Sequence, residues 1–297
     1  MKVLVFGCEG QVGYAVMNEL SKRGYEAIGT DNLEYSNCFN SYYKCDITVQ
    51  RDVEELILKI NPDAIIHCAA WTQVDKAEQN QELVYKINAL GPKYISEASA
   101  KIGAKVLYIS TDYVFDGKGN EPFEVDSKKN GLSTYGRTKS DGEDFVLATN
   151  KKHFIVRSSG IFGMNGHNFV KTMISLAKSG KKEIYVVNDQ IVSVTYANDL
   201  AILLVDMIET EKYGIYHATN QGYLSWCDFS REIFKEIDAD VIVHGVSSEE
   251  YKKMVVGQTE RPKNSRLSYK SLDEAGFNRL PHYKDALNRF LKEMENN

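Results

Sequence analysis

The feature that most constrains this chain is Gly7-Cys8-Glu9-Gly10-Gln11-Val12-Gly13. It follows the apolar run Val3-Leu4-Val5-Phe6 and leads into a helical pattern over residues 12–22. A strand that hands over to a helix this abruptly needs glycine. One allows the tight turn, one lets another group approach the backbone, and one lets the helix pack close to the strand. The helix that begins there carries unpaired N–H groups and a partial positive charge, which suits a phosphate. The turn predicts a βαβ unit built around a dinucleotide, with a GxxGxxG spacing one residue longer in its first gap than the common form.

The N-terminal half repeats the alternation. Apolar runs at 25–29, 64–68, 105–110 and 154–158 read as buried strands. Residues 47–61, 81–102 and 135–148 read as helices, the first with Asp46 or Thr48 as N-cap. Buried strands alternating with helices imply right-handed crossovers and a parallel sheet covered on both faces. The expected class is α/β: a Rossmann-type doubly wound parallel sheet with a smaller C-terminal α/β substrate lobe. Residues 1–158 are expected to form the dinucleotide-binding domain, with 191–212 returning to it. Residues 159–190 and 213–297 are expected to form the substrate-binding lobe, with helices at 168–179, 226–237, 269–275 and 283–293.

Composition narrows the partners. With 43% hydrophobic and 26% charged residues over 297 positions the chain can bury large cores and is not a disordered polymer. No run approaches the ~18 apolar residues of a membrane span. A net charge of -5 argues against a nucleic-acid partner, so an anionic ligand must be held by local charges or helix ends. No basic segment precedes the first apolar run, which reads as a cytoplasmic protein without a signal peptide. Cys8, Cys38, Cys45, Cys68 and Cys227 are odd in number and form no CxxC pair. They read as reduced thiols, and no metal site is expected from their spacing.

Two further features point to chemistry. Asp31 stands about 20 residues after the glycine turn, where a carboxylate accepts hydrogen bonds from the adenosine ribose hydroxyls and repels a 2′-phosphate. This favours NADH over NADPH. Asp46 caps the next helix or reaches the adenine, and Ala69 and Ala70 are small enough for a cofactor to pass over. Tyr135 and Lys139 lie one helical turn apart. With 18 tyrosines in the chain a chance match is expected, so the weight comes from position, downstream of a strand ending Ser110-Thr111. Ketone reduction creates an alkoxide that needs a proton donor. An ammonium ~4 Å from the phenol contributes about 4 kcal/mol at an effective dielectric near 20. That is about 3 pKa units, predicting a Tyr135 that titrates near 7. Lys139 would also hold the nicotinamide ribose, and Thr111 would orient the substrate oxygen.

Longer strings carry a resemblance. His67-Cys68-Ala69-Ala70-Trp71-Thr72-Gln73-Val74-Asp75-Lys76-Ala77-Glu78, Ser110-Thr111-Asp112-Tyr113-Val114-Phe115-Asp116-Gly117, Asn168-Phe169-Val170, Asn188-Asp189-Gln190 and Arg261-Pro262-Lys263-Asn264-Ser265-Arg266-Leu267 follow one another in the chain. Together with the glycine turn they resemble the extended short-chain dehydrogenase/reductases that act on nucleotide sugars, and among them the dTDP-4-dehydrorhamnose reductase family. The resemblance runs from Met1 to about Leu291. It implies reduction of the C4 ketone of dTDP-4-dehydro-L-rhamnose to dTDP-L-rhamnose, for cell-surface polysaccharide, with NADH or NADPH.

By position the resemblance makes Gly7, Gly10, Gln11, Val12, Asp31, Asp46, Ile47, Cys68, Ala69, Ala70, Trp71, Tyr135 and Lys139 cofactor-binding. Thr111, Tyr135 and Lys139 are the expected catalytic residues, and Thr111, Asp112 and Arg261 the expected substrate contacts. Arg261 and Arg266 each fit either a diphosphate contact or a structural clamp. The resemblance also implies a homodimer, with Mg2+ at the dimer interface in some members, for which no ligands can be picked out here. Two departures fall in the substrate lobe. Gly160 stands where the family has a tryptophan near the sugar nucleotide, and the loop 188–195 lacks the family's glycine and proline. Alternative readings are a reductase, epimerase or dehydratase for another nucleotide sugar, or a non-catalytic cofactor-binding subunit resembling the regulatory subunit of methionine adenosyltransferase. A 4,6-dehydratase is expected to carry Asp-Glu after Thr111, where this chain has Asp112-Tyr113.

Overall fold

The computed structural model describes residues 1–255 and 257–296. Its centre is a seven-stranded sheet in which every pairing is parallel. The strands are β1 (Lys2–Phe6), β2 (Glu26–Asp31), β3 (Tyr42–Lys44), β4 (Ala64–His67), β5 (Lys105–Thr111), β6 (His153–Ser158) and a later strand, Gly214–His217. Their spatial order is Gly214–His217, β6, β5, β4, β1, β2, β3. Sequence alternation explains the two layers. Val3 and Val5 face one buried cluster with α1 (Gln11–Lys22), while Leu4 and Phe6 face the opposite one with α2 (Gln50–Ile60). Strand order reverses between β1 and β4, the place where an open parallel sheet leaves a crevice at its carboxyl edge.

Local chemistry corrects several sequence expectations. Asp46 does not cap α2. Its carboxylate accepts the Thr48 N–H at 2.9 Å and the Thr48 hydroxyl at 2.8 Å, closing a turn before the helix, and α2 starts after Val49 without a side-chain cap. The helical stretch 81–102 is not one regular helix. Between α4 (Gln81–Tyr85) and α5 (Gly91–Lys101) lies a π-helical segment, Lys86–Leu90, which buries Asn88. A widened turn of this kind leaves the apolar periodicity almost intact, so it is invisible in the pattern. β3 has no expected counterpart, being three part-exposed residues with no periodic signal.

Beyond β6 a separate buried cluster gathers Phe162, Val170, Ile184, Val194, Tyr196, Phe229 and Phe290. It is covered by α7 (Phe169–Lys178), a helix that begins at Trp226 (Trp226–Glu236) and the C-terminal helix Tyr283–Glu295. The short strand Ile191–Val192 pairs antiparallel with Leu224–Ser225 and parallel with Asn264–Ser265. The helix Ala197–Ile208 packs back on α1. The chain then stays with the large sheet past the expected boundary at 212, because Gly214–His217 pairs with β6. Tyr216 joins the buried cluster of Phe154 and Val156, and its neighbour Ile215 packs against the opposite one.

Candidate active site

One cavity of about 970 Å³ runs along the carboxyl edge of the sheet and gathers most of the residues singled out above. At its dinucleotide end the glycines have distinct reasons to be glycine. Gly7 has φ +78°, and a Cβ there would lie 2.5 Å from the Ala69 nitrogen; a Cβ at Gly13 would lie 2.0 Å from the Gly7 oxygen. Gly10 meets only the Gly7 oxygen, at 3.3 Å, and lines the cavity with Gly7, Gln11 and Val12. It is the N-cap of α1, which has no side-chain cap and no acidic residue in its first turn. The N–H groups there are available to an anion, so the cradle fits a dinucleotide diphosphate.

Asp31 ends β2 inside the cavity. Its carboxylate accepts from the Asn32 N–H at 2.8 Å and the Glu9 N–H at 3.4 Å, and burial lifts its pKa above the usual carboxylate range. Asp46, Ile47, Cys68, Ala69 and Ala70 line the same end, and burial holds the Cys68 thiol protonated. Trp71 does not line it. Its backbone N–H donates to the Asn88 side-chain oxygen at 2.8 Å and its indole N–H to the Gln73 carbonyl at 3.0 Å, so Thr72, Gln73 and Val74 reach the cavity instead.

The reacting end is built on α6 (Thr134–Thr149) and the tip of β5. Ser133 caps α6 by accepting the Gly136 N–H at 3.1 Å. Glu78 accepts the Thr134 N–H at 2.7 Å and its hydroxyl at 2.8 Å, placing a carboxylate at the helix start. This fixes Tyr135 and Lys139 on one face, both lining the cavity with Thr111 and Asp112. Thr111 accepts the Tyr113 N–H and donates to Asp112, each at 3.2 Å. The Lys139 ammonium donates to the Ile109 carbonyl at 2.7 Å and sits 4.0 Å from the centre of the Tyr108 ring.

The electrostatics correct the expected acidic phenol. Burial pushes Tyr135 up to about 12, opposed by its hydrogen bond with Thr111. Burial also brings Lys139 down to about 7, with the Glu143 carboxylate opposing the drop. Asp112 rises to about 6, again through burial. The expectation of a Tyr135 near 7 counted the attraction of the ammonium and left out desolvation, which here is the larger effect for both partners. Beneath them, Arg157 and Glu143 form a buried pair with two contacts of 2.8 Å, and the Ser110 hydroxyl donates to Glu143 at 2.5 Å. This network ties α6 to β5 and β6.

The second region closes the cavity with Ser159, Gly160, Gln190, Val192, Trp226 and Ser265 among others. Arg261 and Arg266 are not among its lining residues. Arg261 grips Asp75 of α3 (Val74–Ala77) with contacts of 3.0 and 2.9 Å, and Asp75 also accepts the Thr259 N–H at 2.9 Å. Arg266 donates to the Asn264 side chain at 2.9 Å. Both act as clamps. Sequence reasoning missed Trp226 as a lining residue and Glu78 as the anchor of α6, although Glu78 closes the His67–Glu78 string and Trp226 directly follows the helix-capping Ser225. Asn88 left no signal, because its role comes from the π-helical segment.

A doubly wound parallel sheet with a glycine turn at its switch point, facing a Tyr–Lys helix across one crevice, defines an extended short-chain dehydrogenase/reductase, an NAD(P)-dependent oxidoreductase. More narrowly, the chain belongs to the family described as RmlD substrate binding domain, whose match covers residues 1–296. The spore coat polysaccharide biosynthesis protein SpsK of Bacillus subtilis is 37% identical, over 98% of this chain and 97% of its own length. The dTDP-4-dehydrorhamnose reductase of Escherichia coli (strain K12) is 33% identical, over 99% and 98%. Among solved structures, a dTDP-4-dehydrorhamnose reductase from Clostridium acetobutylicum superposes with a TM-score of 0.92 at 38% identity, over 99% of this chain and all of that one. The Bacillus anthracis dTDP-4-dehydrorhamnose reductase in complex with NADP gives 0.91 at 39% identity, over 99% and 100%.

Proposed function

We propose that this chain reduces the C4 ketone of dTDP-4-dehydro-L-rhamnose, giving dTDP-L-rhamnose, with Tyr135 as the proton donor. The observation that carries this reading is the meeting of the glycine turn, Thr111, Tyr135 and Lys139 in one cavity. When bound along this cavity, a reduced nicotinamide would supply the hydride that C4 accepts. Gly7, Gly10, Gln11 and Val12 hold the diphosphate on the start of α1, and Asp31 takes the adenosine ribose hydroxyls. Asp46 and Ile47 flank the adenine, and Cys68, Ala69 and Ala70 form the floor beneath the dinucleotide. NADH is the preferred form, because Asp31 and the neighbouring Glu9 both repel a 2′-phosphate.

A phenol with a pKa of about 12 is fully protonated at neutral pH and is ready to give its proton to O4 as the alkoxide develops. The Thr111 hydroxyl turns its one proton from Asp112 to the phenolate left behind and so stabilises it. That negative charge favours the protonated form of Lys139, so the ammonium is recruited when charge appears rather than before. Asp112 orients a sugar hydroxyl beside Thr111. The same reading has the enzyme acting in the cytoplasm as a homodimer. Among the described residues no helix is long and apolar enough to cross a membrane, and no cluster of three or more His, Cys, Asp or Glu is arranged to hold a metal.

The test is NADH oxidation with dTDP-4-dehydro-L-rhamnose, with dTDP-L-rhamnose identified as product. Turnover confined to a GDP- or UDP-linked 4-keto sugar would move the assignment to another substrate. Tight NADH binding with no turnover on any of them would favour a regulatory subunit.

A further inference from the structure

Trp226 is fixed from several sides. It opens the helix Trp226–Glu236, where Ser225 accepts the Asp228 N–H at 3.0 Å and donates to its carboxylate at 2.7 Å. Ser225 itself belongs to the strand Leu224–Ser225, paired with Ile191–Val192. The indole is backed by Phe169, with ring centres 4.5 Å apart, and by Phe229 at 6.4 Å. Trp226 is nevertheless one of the residues lining the cavity.

Gly160 lies beside the indole. A Cβ built on Gly160 would lie 3.4 Å from Cη2 of Trp226 and 3.2 Å from a methyl of Val194. Any longer side chain at 160 would occupy the space in front of the indole, and φ +54° disfavours one in any case. The neighbouring Ser159 faces the Asp112 carboxyl, which accepts from Thr111. The indole therefore borders the reacting end of the cavity and not the adenine end marked by Asp31.

We propose that Trp226 is the aromatic wall against which the deoxyhexose ring of the substrate packs, and that Gly160 is the specificity-determining residue that keeps this wall open. The inference rests on the reading of the site as a sugar-nucleotide reductase. A pyranose presents a face of C–H groups, extended by a methyl in a 6-deoxy sugar. Such a face packs on an aromatic ring while the opposite edge hydroxyls stay with polar groups such as Asp112 and Gln190.

The chain has two tryptophans, and the other, Trp71, does not line the cavity, so Trp71→Phe leaves a single reporter in an intact wall. Its emission is followed on adding dTDP-L-rhamnose or dTDP, each saturated according to calorimetry. The expected result is a clear change in intensity or wavelength with dTDP-L-rhamnose and little with dTDP. In parallel, Trp226→Phe should raise KM for the keto sugar several-fold and Trp226→Ala about tenfold, with KM for NADH within twofold of wild type. Calorimetric binding of dTDP-L-rhamnose with a silent Trp226, or the full change with dTDP alone, would overturn the inference and leave the reductase reading standing. No binding of any nucleotide sugar would overturn both.

Discussion

The Lys139 ammonium is bound to the carbonyl of Ile109, 2.7 Å away, in a buried position where it titrates near 7. Burying this lysine has a cost to folding. In the unfolded chain it titrates near 10.5. Between the two values the unfolded state binds more protons, so stability rises with pH across that window, and the Lys139 penalty is complete below about 7. Lys139→Met should therefore melt several degrees above wild type at pH 6–7, a gain of roughly 2 kcal/mol, with the gain fading toward pH 10.5. Turnover should fall at least ~100-fold. Thermal melts across this pH range check the sign.

Glu143 favours folding where Lys139 opposes it, although for both groups stability rises with pH across the titration window. Burial would raise its pKa, but the Arg157 guanidinium and Ser110 hold it below 4.5. A depressed carboxylate contributes its full stability above the unfolded pKa and loses it as pH falls through the folded one. Glu143→Gln leaves the buried Arg157 uncompensated and should cost about 3–5 kcal/mol at pH 7. Urea midpoints should show the gap narrowing below pH 4.5.

The proposed preference for NADH rests on Asp31. The carboxylate is half-buried at the end of β2, with Glu9 beside it. NADH should be used with a kcat/KM about tenfold above NADPH, and Asp31→Ser should narrow that ratio by losing NADH efficiency and gaining some with NADPH. Initial rates with both cofactors decide it.

Arg261 separates a clamp from a ligand. Its pair with Asp75 is part-exposed, with the two side chains 21% and 47% accessible. A double-mutant cycle of Arg261→Ala and Asp75→Ala should give a coupling of about 0.2–1 kcal/mol. If the arginine only clamps α3, both single variants should raise KM for the sugar nucleotide by similar factors. A far larger rise in Arg261→Ala alone would mark it as a diphosphate contact.

How far the sequence could be read depended on whether the information was local. The alternation Val3-Leu4-Val5-Phe6, the glycine turn and the i, i+4 spacing of Tyr135 and Lys139 are local, and each places itself in the fold. Trp226 and Gly160 meet across two elements 66 positions apart in the chain, and Arg261 finds Asp75 across 186. Such pairings are tertiary facts with no trace in periodicity. The acidity of Tyr135 is likewise not legible in the sequence, because desolvation depends on what packs around a group rather than on its helical neighbours.

The proposed reaction stands on Tyr135 delivering the proton in a nicotinamide-dependent ketone reduction. Tyr135→Phe removes one hydroxyl and keeps the ring against Tyr113. Measured together, NADH affinity should stay within about threefold of wild type while turnover of dTDP-4-dehydro-L-rhamnose falls about 10³-fold. A Tyr135→Phe protein that binds NADH normally and keeps more than about a tenth of the wild-type turnover would contradict the account.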